Sequence, residues 1–168
     1  MIFLTVGQEL PFDRLVRAVD VWCLSRGRSD VFGQLGEVGS QGFRPTQFKW
    51  EKFVSPPEYK RRFEQADIVV AHAGMGSIIT ALTLAKNVLI IPRQAALKEH
   101  RNDHQLATAE RFAERSGVHV AFDETMVGQM LDTLADNSIA VEGEAVSHFA
   151  EPRLIDTIRN FIHDTDDC

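Results

Sequence analysis

Short apolar runs alternate along the chain with stretches whose apolar residues recur at helical spacing. The runs are MIFLTV, DVFGQL, FKWEKFV, DIVVA, VLIIP and VHVAF. Runs of this length that are rich in β-branched and aromatic side chains are typical of strands buried in a parallel sheet. The pattern therefore predicts six strands, which begin near residues 1, 30, 48, 67, 88 and 118.

Helical periodicity fills most of the segments between these runs. The clearest apolar stripes are Phe12/Leu15/Val16/Val19, Ile78/Ala81/Leu82/Ala85 and Val127/Met130/Leu131/Leu134. Ser55, followed directly by Pro56, predicts the N-cap of a helix over 55–66. Another helix is predicted over 104–117, where Gly117 ends it, and a last one over 151–163.

Strands that alternate with helices indicate an α/β fold, a Rossmann-like parallel sheet with helices on both faces. A chain of 168 residues, 44% of them hydrophobic, suits one domain over residues 1–168. In such a sheet a ligand binds beyond the carboxyl ends of the strands. The loops that follow the first, fourth and fifth strands are therefore the places to look for a site.

Charge and composition exclude several classes of protein. The net charge is −6, with 18 basic against 24 acidic residues, so binding to nucleic acid is not expected. Two cysteines, Cys23 and Cys168, give neither a disulfide framework nor a metal-binding spacing. The start of the chain is too short and too quickly polar for a signal peptide, and no apolar run is long enough to span a bilayer. We expect a cytoplasmic protein.

The segment HAGMGS, residues 72–77, lies where the fourth strand gives way to a helix. Gly74 and Gly76 allow the backbone to approach a bound group, and the helix directs free N–H groups and its positive dipole end to the same place. Ser77 either caps the helix or donates its hydroxyl to a ligand. This chemistry suits a phosphate or a diphosphate. The alternative is that the glycines serve only a tight turn, and the spacing matches neither the dinucleotide fingerprint nor a P-loop.

The loop after the fifth strand is dense in polar side chains. They are Arg93, Lys98, Glu99, His100, Arg101, Asn102, Asp103, His104 and Gln105. A solvated charged loop would explain them, just as a hydrogen-bonded structural role would explain His72. Because two polar loops follow neighbouring strands, they also indicate a shared pocket.

Three segments together resemble the carboxyl-terminal half of glycosyltransferase family 28. They are TVGQELPFDRLV, ADIVVAHAGMGSI and IPRQAALKEHRNDHQ, which cover roughly residues 1–125. The chain is most similar to the short members, which are small subunits of two-component transferases such as bacterial exopolysaccharide glucuronosyl- and galactosyltransferases. The resemblance implies the nucleotide-sugar-binding half of a GT-B enzyme that takes a UDP-sugar. It also implies a membrane-associated partner subunit that binds a lipid-linked acceptor, and hence a location at the inner face of the plasma membrane.

The resemblance also assigns residues. The diphosphate would be held by Gly74, Met75, Gly76 and Ser77, and the nucleotide and sugar by Gly7, Gln8, Arg93, Glu99, Asn102, Asp103, His104 and Gln105. The helix dipole would replace a metal ion, and no cofactor is expected. The catalytic base stays unassigned, with His72 and His104 as candidates, and in single-chain relatives it is expected in the acceptor half.

Two positions depart from the family pattern. Gln8 stands where members generally carry a hydroxyl residue, and Thr80 stands where larger relatives place a glutamate that holds the ribose. Ribose binding would then be weaker or moved to Glu99 or Asp103. These departures keep open a non-catalytic regulatory or structural partner of a glycosyltransferase, whereas a UDP-sugar epimerase would need two full halves. The helix over 151–163 packs on its own domain or docks the partner subunit.

Overall fold

A computed structural model describes residues 1–8, 10–136 and 156 of the chain. Within these residues, six strands form one sheet in the order β3-β2-β1-β4-β5-β6. The strands are β1 (Ile2–Thr5), β2 (Val31–Gln34), β3 (Lys49–Glu51), β4 (Ile68–His72), β5 (Asn87–Ile91) and β6 (Val118–Val120). Every neighbouring pair is parallel. The predicted fold class is confirmed.

The helices follow the predicted order, with shifted ends. They are α1 (Asp13–Arg26), α2 (Pro56–Gln65), α3 (Met75–Thr83), α4 (His104–Phe112) and α5 (Thr125–Ala135), with a short 3-10 turn at Ala95–Leu97 inside the predicted polar loop. Ser55 caps α2 as predicted, since its hydroxyl accepts a hydrogen bond from Glu58 N at 3.4 Å. Gly117 does not end α4. Its φ of +79° instead turns the chain into β6.

Alternate residues of the central strands face two separate cores, as a pleated strand requires. Ile2 and Leu4 of β1 pack in the core beneath α1 and α5, whereas Phe3 packs in the core beneath α2, α3 and α4. The helix residues in these cores include Leu15, Val16 and Val19 of α1, Val127 and Leu131 of α5, Phe63 of α2, Ile78 and Ala81 of α3, and Ala109 of α4. Helices therefore cover both faces of the sheet.

The strand order reverses between β1 and β4, which brings the loops after these two strands side by side. The third strand is shorter than predicted, so Phe53 and Val54 lie between β3 and α2 rather than in the sheet. In the part of the chain that the structure describes, no helix is both long and apolar enough to cross a membrane. The predicted helix over 151–163 lies outside the described residues, except for Asp156, which is helical.

Candidate functional site

The helix α3 starts without a side-chain cap. Its N-cap is Gly74, in an extended conformation with φ −94° and ψ 135°, and no side chain among the described residues caps this end. The first turn also contains no acidic residue that would neutralise the helix dipole. The backbone N–H groups of Met75, Gly76 and Ser77 therefore present a positive end at the carboxyl edge of β4.

His72, the last residue of β4, fills the space between two glycines. A Cβ atom on Gly7 would lie 2.9 Å from His72 Cε1, and a Cβ atom on Gly74 would lie 2.2 Å from His72 Nε2. Gly7 also has a φ of +80°, which other residues rarely adopt. The imidazole thus packs the loop after β1 against the turn before α3, and both glycines are required by this contact.

Gly76 has different surroundings. A Cβ atom built on it would have no heavy atom of the described residues within 4 Å. Packing among the described residues therefore gives no reason for glycine at this position, and the space beside it is free to take a bound group.

This open space belongs to a cavity of about 430 Å³ between the ends of β1, β2 and β4 and the helices α2 and α3. It is lined by Thr5, Gly7, Gln8, Gln34, Val54, Pro56, Tyr59, His72, Gly76, Ser77 and Thr80. The volume lies within the usual range for small-molecule sites, roughly 300–1,000 Å³. We call this space the α3 cavity.

Five lining residues of the α3 cavity were not predicted as site residues: Thr5, Gln34, Val54, Pro56 and Tyr59. Thr5 is fully buried, and its hydroxyl has no hydrogen-bond partner among the described residues. Buried polar atoms are usually paired, so this hydroxyl marks a place for a polar ligand or water. Of these residues, Gln34 could have been predicted from the sequence as a site residue, because it is a polar side chain at the carboxyl end of a buried strand.

The loop after β5 meets the loop after β1 at a second, much smaller cavity of about 70 Å³. It is lined by Val6, Gly7, Gln8, Leu10, His72, Arg93, His100 and Gln105. Arg93 is only 3% exposed and does not line the α3 cavity. Arg93 was expected near the uracil or at the edge of the pocket. In the structure its guanidinium is buried against the loop after β1 and lines the smaller cavity.

The other predicted residues of this loop are largely engaged with the protein. The Glu99 carboxylate accepts hydrogen bonds from Arg14, at 2.8 Å from Nη2, and from Gln94 N at 3.1 Å. Gln105 is buried and accepts from Arg93 N at 3.1 Å. Neither side chain lines the α3 cavity. A ribose-binding role for Glu99 does not fit this arrangement.

Asn102, Asp103 and His104 lie at the exposed start of α4, outside both cavities. Asp103 accepts a hydrogen bond from Ala95 N at 2.8 Å, and the His104 ring contacts Asn102 Oδ1. The His104 ring also lies edge-on to His100, with the ring centroids 4.6 Å apart. None of these three side chains lines the predicted site.

Burial, together with the smaller effect of the nearby Arg93 charge, lowers the pKa of His72 to about 4. The imidazole is therefore neutral near pH 7. A general base is most effective when its pKa lies near the working pH. The structure thus gives His72 the properties of a packing residue and a weak base.

The Thr80 side chain lines the α3 cavity, and its hydroxyl donates to Gly76 O at 2.7 Å.

A larger cavity, about 730 Å³, lies between α1 and α5. None of the predicted site residues lines this larger cavity. Among the described residues, the glycine turn, Gly7, Gln8 and His72 therefore meet at the α3 cavity, beside the switch in strand order.

Residues 1–156 match the model of the glycosyltransferase family 28 C-terminal domain. The match covers most of the chain, and the chain belongs to this family.

One curated relative is the UDP-N-acetylglucosamine transferase subunit ALG13 of Mus musculus, which is 30% identical over 117 residues. The match covers 66% of this chain but only 10% of the length of that relative. The NMR solution structure of ALG13 has a TM-score of 0.55 at 21% identity, over 79% of this chain and 83% of that one. Acinetobacter baumannii MurG has a TM-score of 0.59 at 18% identity, over 83% of this chain and 42% of that one. These likenesses show the fold, which is that of one half of a GT-B glycosyltransferase.

Proposed function

We propose that this chain is the donor-binding catalytic subunit of an inverting glycosyltransferase that transfers a sugar from a UDP-sugar to a lipid-linked polysaccharide intermediate. The observation that carries the proposal is the uncapped start of α3, which opens into the α3 cavity beside Gly76. Its N–H groups and its dipole suit the diphosphate of the donor. Membership of the family supports the same assignment.

The α3 cavity also has room for the rest of the nucleotide. With the diphosphate at residues 75–77, the cavity continues between Val54 and Tyr59, where a nucleoside would be enclosed. The Tyr59 ring is held by edge contacts with Phe3, with centroids 5.5 Å apart, and offers a fixed wall. The sugar would point the other way, toward the exposed start of α4 with Asn102, Asp103 and His104.

The proposed chemistry divides between two chains. The start of α3 stabilises the departing diphosphate. Because a metal ion performs this stabilisation in other enzymes, no cation or cofactor is needed here. The acceptor hydroxyl still needs a base. His72 is poorly suited because of its lowered pKa, and His104 lies outside the cavity. We propose that the acceptor-binding subunit supplies the base.

That subunit is proposed to be membrane-associated, which would hold this chain at the inner face of the plasma membrane. The domain corresponds to one half of a two-half fold, and the mouse relative is itself called a transferase subunit. Large apolar side chains are exposed on elements at the carboxyl edge of the sheet, namely Leu10, Phe53, Met75 and Leu97. They suit a surface that a second chain covers.

Calorimetric titration of the chain with UDP, UMP and uridine tests donor binding. UDP should bind at least about tenfold more tightly than UMP, because a hydrogen bond to a charged group is worth about 1.5–3 kcal/mol. Equal affinities for UDP and uridine would contradict a diphosphate site at α3. Transfer is then assayed with the chain and its partner subunit co-expressed.

A non-catalytic regulatory partner is the second candidate. It is favoured by Thr80, whose hydroxyl is engaged by Gly76 O and which stands where larger relatives carry a ribose-binding glutamate. Gln8, in place of a hydroxyl residue, points the same way. Tight UDP binding without sugar transfer by the co-expressed pair would support this candidate against the catalytic one.

A further inference from the structure

The guanidinium group of Arg93 donates hydrogen bonds to backbone carbonyls of two loops. Arg93 Nη2 donates to Val6 O at 2.8 Å and to Leu10 O at 2.6 Å. Its Nη1 donates to Pro11 O at 2.7 Å and to Glu99 O at 3.3 Å. The planar fork of arginine permits such a set of acceptors, which the single ammonium of a lysine does not match.

Three of these carbonyls lie at the two ends of one loop, residues 6–11, which follows β1. Val6 starts the loop, while Leu10 and Pro11 lead into α1. Gly7 and Gln8 lie between the two ends and line both cavities. The guanidinium therefore joins the two ends of the loop and determines where Gly7 and Gln8 lie beside the α3 cavity.

Arg93 is itself held from several sides. Its backbone N–H donates to Gln105 Oε1 at 3.1 Å, and its guanidinium carbon lies 4.6 Å from the centroid of the Phe12 ring. The preceding carbonyl, Pro92 O, accepts from Arg14 Nη2 at 3.0 Å. Arg93 therefore connects the loop after β1 to a part of the loop after β5 that is itself held by several contacts.

We propose that Arg93 is a positioning residue for donor binding, one that holds residues 6–11 so that Gly7 and Gln8 can contact the donor while Arg93 does not touch it. This inference rests on the proposed function. When the two ends of the loop are released, only a fraction of molecules has the binding arrangement, and the apparent affinity falls by that fraction.

The test compares Arg93→Lys with Arg14→Lys. Arg14 is a matched control, because its side chain is only 11% exposed and it contacts the same neighbourhood through Pro92 O and Glu99. It donates to none of the three carbonyls of residues 6–11. For each variant, amide hydrogen exchange over residues 6–12 and the affinity for UDP are measured on the folded protein.

In Arg93→Lys we expect faster exchange over residues 6–12 and about tenfold weaker UDP binding, which corresponds to a competent fraction of about one tenth. In Arg14→Lys both quantities should stay within about twofold of the parent protein, because Arg93 keeps its hydrogen bond to Gln105 and its hydrogen bonds to the three carbonyls of residues 6–11. Arg93→Ala should show the same two losses, and added guanidinium ion should reverse them by entering the vacated site. Unchanged exchange in Arg93→Lys, or equal losses of UDP affinity in both lysine variants, would overturn the proposal.

Failure of the proposed function gives a different result. If the parent chain does not bind UDP, the donor assignment fails, and with it the role of Arg93 in donor binding. The exchange measurement then still reports whether Arg93 holds the loop. If Arg93→Ala does not fold, refolding in guanidinium ion but not in sodium ion at equal concentration supports the guanidinium contact, and equal failure in both opposes it.

Discussion

Gly74 and Gly76 stand two residues apart in the same turn, yet a methyl group would meet very different surroundings at each. At Gly74 it would collide with the His72 ring, and at Gly76 no heavy atom of the described residues would lie within 4 Å of it. Glycine is also an unfavourable residue inside a helix. At the scale of single residues, this contrast separates a glycine needed for packing from a glycine left for a ligand.

Gly76→Ala should leave the free energy of unfolding unchanged or raise it by up to about 1 kcal/mol, since alanine is the better helix former. The same variant should weaken UDP binding by tenfold or more, about 1.4 kcal/mol, by keeping the diphosphate from the backbone. Gly74→Ala should lower the free energy of unfolding by about 1–3 kcal/mol, the usual cost of overpacking. Denaturant unfolding and calorimetry measure both. Full UDP affinity in Gly76→Ala would argue against a diphosphate at this turn.

The lowered pKa of His72 predicts acid sensitivity. The folded imidazole titrates at about 4 and the unfolded one near 6.5. Between these values the unfolded chain binds more protons, so stability falls as the pH falls. The parent chain should lose about 3 kcal/mol more than His72→Gln between pH 7 and pH 4, at about 1.36 kcal/mol per pKa unit.

Chemical denaturation at a series of pH values measures this difference. His119, whose pKa is also lowered by burial, contributes in both proteins and cancels from the comparison. Parallel curves for the parent and His72→Gln would show that His72 is not the group responsible.

At the scale of elements, the helices and the Ser55 cap were predictable because their signals are local, whereas Gly117 was wrongly predicted to end α4. The stripes Ile78/Ala81/Leu82 and Val127/Leu131 lie on the buried faces of α3 and α5, as the periodicity indicated. The loop after β5 was not predictable. From the sequence, its polar residues were predicted to form one binding loop. In the structure, Glu99 and Gln105 form hydrogen bonds within the protein, and partners such as Arg14 of α1 come near them only in the folded chain.

Glu99→Gln tests the element-level role of this residue. The Arg14–Glu99 pair joins α1 to the loop after β5, with both side chains nearly buried at 11% and 12% exposure. Its loss should lower the free energy of unfolding by about 1.5–3 kcal/mol, the worth of a hydrogen bond to a charged group. Glu99 does not line the α3 cavity, so UDP affinity should change by no more than a factor of about two, under 0.5 kcal/mol.

Glu124→Gln is the matched control. Glu124 also pairs with Arg14, at 3.0 Å, but is 46% exposed, so its loss should have a smaller effect on stability. A large loss of UDP affinity in Glu99→Gln but not in Glu124→Gln would instead indicate that Glu99 binds the ribose.

At the scale of the whole molecule, the parallel sheet could be predicted because strands and helices alternate along the chain. The α3 cavity could be predicted only in part. The turn at 74–77 was evident from its glycines, whereas Thr5, Gln34, Val54 and Tyr59 come from four separate segments. Their meeting depends on the order of strands, with β1 between β2 and β4, which no local pattern encodes.

Donor binding without a metal is a prediction for the whole chain. UDP at 100 times its dissociation constant should stabilise the fold by about 2.7 kcal/mol. The gain should be the same in Mg²⁺ and in EDTA, because the helix dipole takes the place of the cation. Thermal unfolding with and without UDP measures it in each buffer, and a gain seen only with Mg²⁺ would contradict the metal-independent mechanism.

Because the imidazole lies against Gly74, the residue that can stand at position 74 depends on the residue at position 72. A side chain can arise at position 74 only in a lineage that already carries a smaller residue at position 72. Reversion of position 72 alone would then be blocked, because the histidine would return to a space already taken. Position 7 favours glycine whatever stands at position 72, because its φ is +80°. Across divergent members of the family, we therefore expect positions 72 and 74 to vary together, with glycine preserved at position 74 wherever the histidine ring persists.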